Sequence, residues 1–154
     1  MTEPAQKPHR SKQDYGTPPA FIDAVERRFG ALDIDLAARV DNKVAPSWVD
    51  VEEDSLAQPW RNIGLGWLNP PFANLGAWAS KCRSEAGPQS RILMLSPASV
   101  GTDWWAEHVH GHASVLFLRP RLTFVECSDP YPKDLALSCF GFGVSGYETW
   151  RWKC

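Results

Sequence analysis

Four consecutive residues, Asn69-Pro70-Pro71-Phe72, carry the strongest chemical signal in the chain. Two prolines in a row fix two φ angles and remove two N–H donors, while both carbonyls remain as acceptors. The Asn69 side chain adds an oxygen acceptor, and Phe72 adds a flat apolar face. An exocyclic amine on a planar base is the group such a turn suits. Its lone pair is delocalised into the ring, so it attacks an electrophile poorly. Two acceptors on its hydrogens, the Asn69 amide oxygen and the Pro70 carbonyl, favour the pyramidal nitrogen that attack requires. They also stabilise the positive charge that develops on it. Phe72 would stack on a base flipped out of a duplex, an interaction contributing about 1–3 kcal/mol by analogy with single-strand stacking. Asn69 is no base at neutral pH, so the proton leaves to water. Read alone, the four residues also suit a plain turn that closes a strand.

The turn needs elements to hold it. Ile63 to Leu68 is a short apolar strand, and a helix from near Asn74 buries Leu75, Trp78, Ala79 and Cys82 before Gly87-Pro88 stops it. The turn therefore lies just beyond the carboxyl end of a strand, where open α/β sheets bind ligands. Upstream, Thr17 reads as an N-cap with Pro18 at the first helical position. Phe21, Ile22, Val25 and Phe29 follow at helical spacing, and Gly30 ends a helix over 18–29. Leu32-Asp33-Ile34-Asp35-Leu36 alternates apolar and acidic residues, a strand with both carboxylates on one face. Residues 39–62 read as irregular, with the acidic cluster Asp50, Glu52, Glu53 and Asp54. Ile92 to Leu95, Ser114 to Leu118 and Leu135 to Phe142 supply further strands, and Thr102 or Asp103 caps a short helix ending near His110. Strands alternating with helices predict an α/β fold with a largely parallel sheet.

Composition sets the outer limits. At 154 residues the chain is one domain, with residues 1–13 a flexible, Pro-containing arm bearing Lys7, Arg10 and Lys12, and 14–154 the folded unit. Hydrophobic residues at 44% and charged residues at 22% exclude disorder and fibrous classes. The net charge of −2 announces no global basic field, so any nucleic-acid face must be local. Cys82, Cys127, Cys139 and Cys154 match no zinc spacing and read as reduced, incidental thiols. His108, His110 and His112 alternate, but they fall where a helix ends and a strand begins, which favours exposure or capping over a metal site. No apolar stretch suits a signal peptide or membrane span, so a cytoplasmic protein is expected. The eight tryptophans have only a packing role at this level.

From about Asp14 to Phe142 the chain resembles the small phage-type DNA N6-adenine methyltransferases. Asn69-Pro70-Pro71-Phe72 is similar to their (D/N/S)-P-P-(Y/F) motif. Thr17-Pro18, Phe29-Gly30 leading into Asp35-Leu36-Ala37-Ala38 and Asn42, Asp54 and Leu56 ahead of Trp60, and Arg119-Pro120-Arg121-Leu122-Thr123-Phe124 match in order and spacing. The resemblance implies a Rossmann-like class I methyltransferase fold, a compact and mostly parallel sheet flanked by helices. It implies S-adenosylmethionine as cofactor and double-stranded DNA with a flipped adenine as substrate, in a phage- or prophage-encoded protein of the bacterial host.

Residue by residue, it makes Asn69, Pro70, Pro71 and Phe72 catalytic. Thr17, Pro18, Asp35, Ala37, Asp54, Leu56 and Asn69 become cofactor-binding. Thr17 and the helix start would hold the methionine carboxylate, Asp35 would accept from its ammonium, and Asp54 would accept from the cofactor's adenine amine. Asp33, on the face of Asp35 but deeper, is expected to be structural. The usual G-x-G turn is absent; Ala37-Ala38-Arg39 stands there instead, and its small residues still permit close backbone approach. Arg119 and Arg121 are the expected DNA contacts; Lys7, Arg10, Lys12, Arg151 and Lys153 could add to a phosphate grip but are more simply read as solvated terminal charges. Methylation of an RNA amine or a protein glutamine, or a non-catalytic DNA-binding module on the same scaffold, are the alternative readings. With loops 39–53 and 119–134 alone available to read bases, recognition is expected to be very short or shared by a homodimer. A monomer or homodimer, with no membrane partner and no metal, completes the expectation.

Overall fold

The computed structural model describes residues 16–50 and 54–153. Seven strands form one sheet: β1 Ile34–Ala38, β2 Ser47–Asp50, β3 Gly64–Leu68, β4 Ser90–Pro97, β5 Ala113–Arg119, β6 Leu135–Phe140 and β7 Gly146–Arg151. Their order is β2-β1-β3-β4-β6-β5-β7. Every neighbouring pair is parallel except the two made by β6, which runs antiparallel to both β4 and β5. The expected mostly parallel α/β sheet is therefore present. The proposed arm, with its Lys7, Arg10 and Lys12, lies outside the described residues, as do Glu52, Glu53 and Cys154.

Among the described residues, one α-helix covers each face of the sheet. Helix α1, Pro19–Phe29, buries Phe21, Ile22 and Val25 against Leu65, Trp67, Leu93, Leu95, Leu116 and Leu118. Helix α2, Leu75–Glu85, buries the four residues its spacing predicts, Leu75, Trp78, Ala79 and Cys82, against Leu68, Ile92, Met94 and Val115. The apolar residues of β4, β5 and β6 alternate between the two cores, as a period of two requires. Both layers exclude water, so the inner strands read as continuous apolar runs. All six residues of β6 are buried. Burial pushes the Cys82 thiol well up and the Cys139 thiol up to about 12, leaving both as inert packing groups.

Several expectations change in detail. The cap of α1 is Pro18, not Thr17, with no side-chain cap bond, and the helix starts at Pro19. The short helix before β5 is a π-helix, Trp105–Val109, closed by His110 N donating to Trp105 O at 2.9 Å. Thr102 does cap it, its Oγ1 accepting from Trp105 N at 3.3 Å. Strand β2 lies inside the stretch read as irregular, and β7 follows the last strand expected. Both are sheet edges whose pairing partners, not their own pattern, make them strands.

The tryptophans acquire distinct positions. Trp150 and Trp152 pack their rings on Phe21, 5.8 and 5.2 Å away, which ties the C-terminal strand to α1. Trp60 is buried, stacks on Trp78 and donates its indole N–H to Ser55 Oγ at 3.2 Å. That bond holds the 3₁₀ turn Ser55–Ala57, which carries Asp54 and Leu56.

Candidate active site

The strand order locates the site before any side chain is considered. From β1 the chain passes to β2 on one side and then to β3 on the other. The crevice at the carboxyl ends of β1 and β3 is thus the topological switch point, the ligand site of open α/β sheets. Asn69 follows Leu68, the last residue of β3. Asp35 on β1 pairs with Trp67, two residues before Asn69, so the two lie about 7 Å apart along the strands at ~3.3 Å per residue.

The turn itself is rigid and packed. Pro70 is buried, Pro71 and Phe72 are half-buried, and Phe72–Asn74 forms a 3₁₀ turn leading directly into α2. Asn69 Nδ2 donates to Thr17 Oγ1 at 3.1 Å. Phe72 meets the ring of Tyr131 edge to face, with centroids 5.7 Å apart and planes at 80°. Tyr131 in turn packs edge to face on Phe124, which is buried, and its N–H donates to Leu122 O at 2.8 Å. Loop 120–134 therefore buttresses the aromatic face of the turn. Tyr131 was not singled out from sequence; its signal was an aromatic residue held between Pro130 and Pro132.

Asp35 is 4% exposed. Its carboxylate accepts from the amides of Ala37 at 3.3 Å and Val44 at 3.2 Å, so it closes the β1–β2 loop from beneath. Burial raises its pKa to about 6, against the opposing pull of those two amide bonds. Among the described residues no cation pairs with it. Asn42 shapes the same loop, its Oδ1 accepting from Arg39 N at 2.7 Å. Asp33 is the exposed one of the two aspartates, and its Oδ2 accepts from Leu65 N at 2.8 Å. Asp33 thus fixes the β1–β3 register.

A cleft of about 360 Å³ opens beside this loop, lined by Thr17, Ile22, Asn42, Lys43, Val44 and Val125. It brings the start of α1 and the β1–β2 loop together. Pro18 and Pro19 leave that helix start poor in donors, since neither has an N–H and Phe21 N is taken by Pro18 O at 3.0 Å. Asp54 and Leu56 do not line this cleft. Asp54 is exposed with a left-handed backbone (φ 53°), while half-buried Leu56 packs on the core beneath α2.

Arg119 and Arg121 sit at and just beyond the carboxyl end of β5. Both are exposed, and Arg121 is paired with Asp134 at 3.0 Å. His110 stacks on Tyr147 and bonds its hydroxyl at 2.9 Å, while His112 is exposed. Among the described residues no group of His, Cys, Asp and Glu side chains is arranged to hold a metal ion. No helix among them is long and apolar enough to cross a membrane.

Residues 5–139 match the family profile of DNA N-6-adenine-methyltransferase (Dam). The chain belongs to this Dam family. A DNA N-6-adenine-methyltransferase of Escherichia phage T1 is 30% identical over 109 residues, covering 71% of this chain and 46% of the phage protein. The chain therefore spans about half the length of the curated relative it matches. Among solved structures, a predicted O-methyltransferase from Agrobacterium tumefaciens aligns over 67% of this chain and 51% of its own, at 9% identity and a TM-score of 0.39. The Dam match runs through every element that builds the switch-point crevice, from α1 to β6.

Proposed function

We propose that this Dam-family chain methylates the exocyclic N6 of adenine in double-stranded DNA, with S-adenosylmethionine as methyl donor and the target base flipped out of the stack. The observation that carries the proposal is the Asn69-Pro70-Pro71-Phe72 turn at the switch point, one strand from Asp35. The residues present fit the donor. The cleft falls within the size range of small-molecule sites, and Asp35, a buried carboxylate with no cation partner among the described residues, is bonded to a residue of its wall. An ammonium group is the complement such a carboxylate calls for.

S-Adenosylmethionine supplies a methyl group already activated by its sulfonium. The chain's residues must then raise the nucleophilicity of an aromatic amine. The Asn69 amide oxygen and the Pro70 carbonyl accept the two N6 hydrogens and hold the nitrogen pyramidal as its bond to carbon forms. Thr17 occupies the amide's nitrogen end, which fixes the oxygen end as the acceptor. Phe72, backed by Tyr131, presents a ring to the base. The proton left on N6 after transfer passes to water. Asp35 faces the methionine ammonium, Ala37 permits close approach beside it, and Asp54 and Leu56 take the adenine end of the cofactor. Arg119 and Arg121 contact the DNA, and the recognition sequence is very short.

The test is incubation with methyl-labelled cofactor and, separately, unmodified duplex DNA, RNA and a glutamine-containing peptide. Label is expected only in N6-methyladenine from the duplex, and it disappears in Asn69→Ala. Label in RNA or peptide alone would overturn the substrate assignment, and full activity of Asn69→Ala would overturn the role of the turn.

A further inference from the structure

Strand β7 places two arginines side by side. In the parallel β5–β7 ladder Arg119 is the register partner of Arg151, and registered residues of neighbouring strands project from the same face. Both are exposed, and among the described residues neither forms an ion pair. The nearest carboxylate on β7, Glu148, projects from the opposite face and is taken by Arg28 at 2.9 Å. Like charges directly opposite one another destabilise a sheet. Protection of a sheet edge does not account for the pair, because β5 is hydrogen-bonded on both sides and, of the two strands, β7 alone is an edge.

The backbone beneath the two guanidinium groups is held firmly. Trp152 N donates to Arg119 O at 3.1 Å, and Trp152 Nε1 donates to Pro120 O at 2.7 Å. Arg151 Nε also donates to Lys153 O at 3.4 Å, folding the next residues back over the strand end. The ring of Trp152 packs on Phe21, so the arginine pair is braced against α1.

We propose that Arg119 and Arg151 together clamp one backbone phosphate of the DNA duplex. The proposal rests on the functional reading above. Strands β3, β5 and β7 are mutually parallel, so the arginine pair lies at the same end of the sheet as Asn69. Four strand spacings separate β3 from β7, about 19 Å at ~4.8 Å each. A duplex laid across the carboxyl ends would therefore meet the clamp about five to six base pairs from the flipped nucleotide, at 3.4 Å per step. Two planar forks on adjacent, braced strands suit the bidentate recognition of phosphate.

The experiment measures binding of an unmodified duplex over a range of salt concentrations. Arg151→Gln is expected to weaken binding by about ten-fold and to lower the log–log salt slope by about 0.9, the value for one phosphate. Because one phosphate serves both arginines, adding Arg119→Gln should weaken binding by less than a further three-fold. Arg151→Lys should keep the salt slope while losing affinity, which separates a phosphate contact from damage to β7. Cofactor affinity should be unchanged throughout. Arg61→Gln, of equal charge change but ahead of β3 at the other end of the sheet, is the control. Wild-type methylation with an Arg151→Gln variant no weaker than Arg61→Gln would overturn the clamp alone. Absence of duplex binding by the wild-type chain would overturn the clamp together with the reading beneath it.

Discussion

The amide nitrogen of Asn69 donates to the hydroxyl of Thr17 across a separation of 52 residues. This bond joins the start of α1 to the turn after β3, and it decides which end of the amide is presented as an acceptor. Thr17 is expected to hold the methionine carboxylate; its hydroxyl also accepts from the residue that would polarise the substrate amine. Thr17→Val removes the hydroxyl while keeping the shape. A lost hydrogen bond of about 0.5–1.5 kcal/mol corresponds to roughly a two- to thirteen-fold fall in kcat. Thr17→Ser should restore most of it. Titration of the cofactor checks the assignment: if Thr17→Val weakened cofactor binding and left kcat intact, the hydroxyl would serve the carboxylate after all.

Phe72 and Tyr131 make the second prediction. Edge-to-face packing of the pair contributes about 0.5–1.5 kcal/mol beyond burial. Tyr131→Ala should lower stability by about that amount or more and should raise the KM for DNA, since Phe72 loses its backing. Phe72→Ala should cost about 1–3 kcal/mol in kcat/KM for duplex, the worth of one stacked base. Denaturation midpoints and steady-state kinetics separate the two effects. A Phe72→Ala variant with unchanged kcat/KM would remove the base from that ring.

Gly64 opens β3 at φ +77°, and a Cβ built there would strike the Asp33 carboxylate. That carboxylate accepts from Leu65 N, so the clash falls on the bond that sets the β1–β3 register. Gly64→Ala therefore combines left-handed backbone strain, about 1–2 kcal/mol, with a displaced hydrogen bond. Stability should fall by more than about 1.5 kcal/mol on urea denaturation. The double variant Gly64→Ala with Asp33→Ala should recover part of it. If the single variant is as stable as wild type, Asp33 does not pin the register.

What the sequence made legible divides along physical lines. Helix α2 was readable to its four buried residues because helical spacing has a strong period, and the Asn-Pro-Pro-Phe turn was readable because two prolines leave few conformations. Strand β2 has four residues with exposed Ser47 and Trp48, too short for a period of two to register. Strand β7 is an edge strand with four of its six residues exposed and no alternation of burial, so its pattern is weak. The π-turn at Trp105–Val109 follows from packing of Trp105, not from spacing. Pairings such as Thr17 with Asn69 and Arg119 with Arg151 depend on strand order, which no local pattern encodes. Their absence from the sequence reading explains why Arg151 reads there first as a solvated terminal charge.

Asp35 supports the last prediction, a dependence of cofactor affinity on pH. Its carboxyl titrates at about 6 in the folded chain, raised chiefly by burial, against an ordinary value of 3.8. Below about pH 6 it holds a proton and offers no charge to an ammonium; above, it is ionised and complementary. Cofactor Kd should therefore rise as pH falls through 6, approaching ten-fold per pH unit, and binding below that pH should release a proton. The same shift acts on stability with the opposite sign. Because the folded pKa lies above the unfolded one, the folded state is favoured least once both forms are ionised. Stability should drop as pH rises from about 4 to about 6, by an amount on the order of 3 kcal/mol. Asp35→Asn should flatten both profiles and weaken cofactor binding at pH 8. Calorimetric titration at several pH values, in buffers of different ionisation enthalpy, reads the affinity and the proton release together. A Kd that stays level between pH 5 and 7 would take Asp35 away from the ammonium.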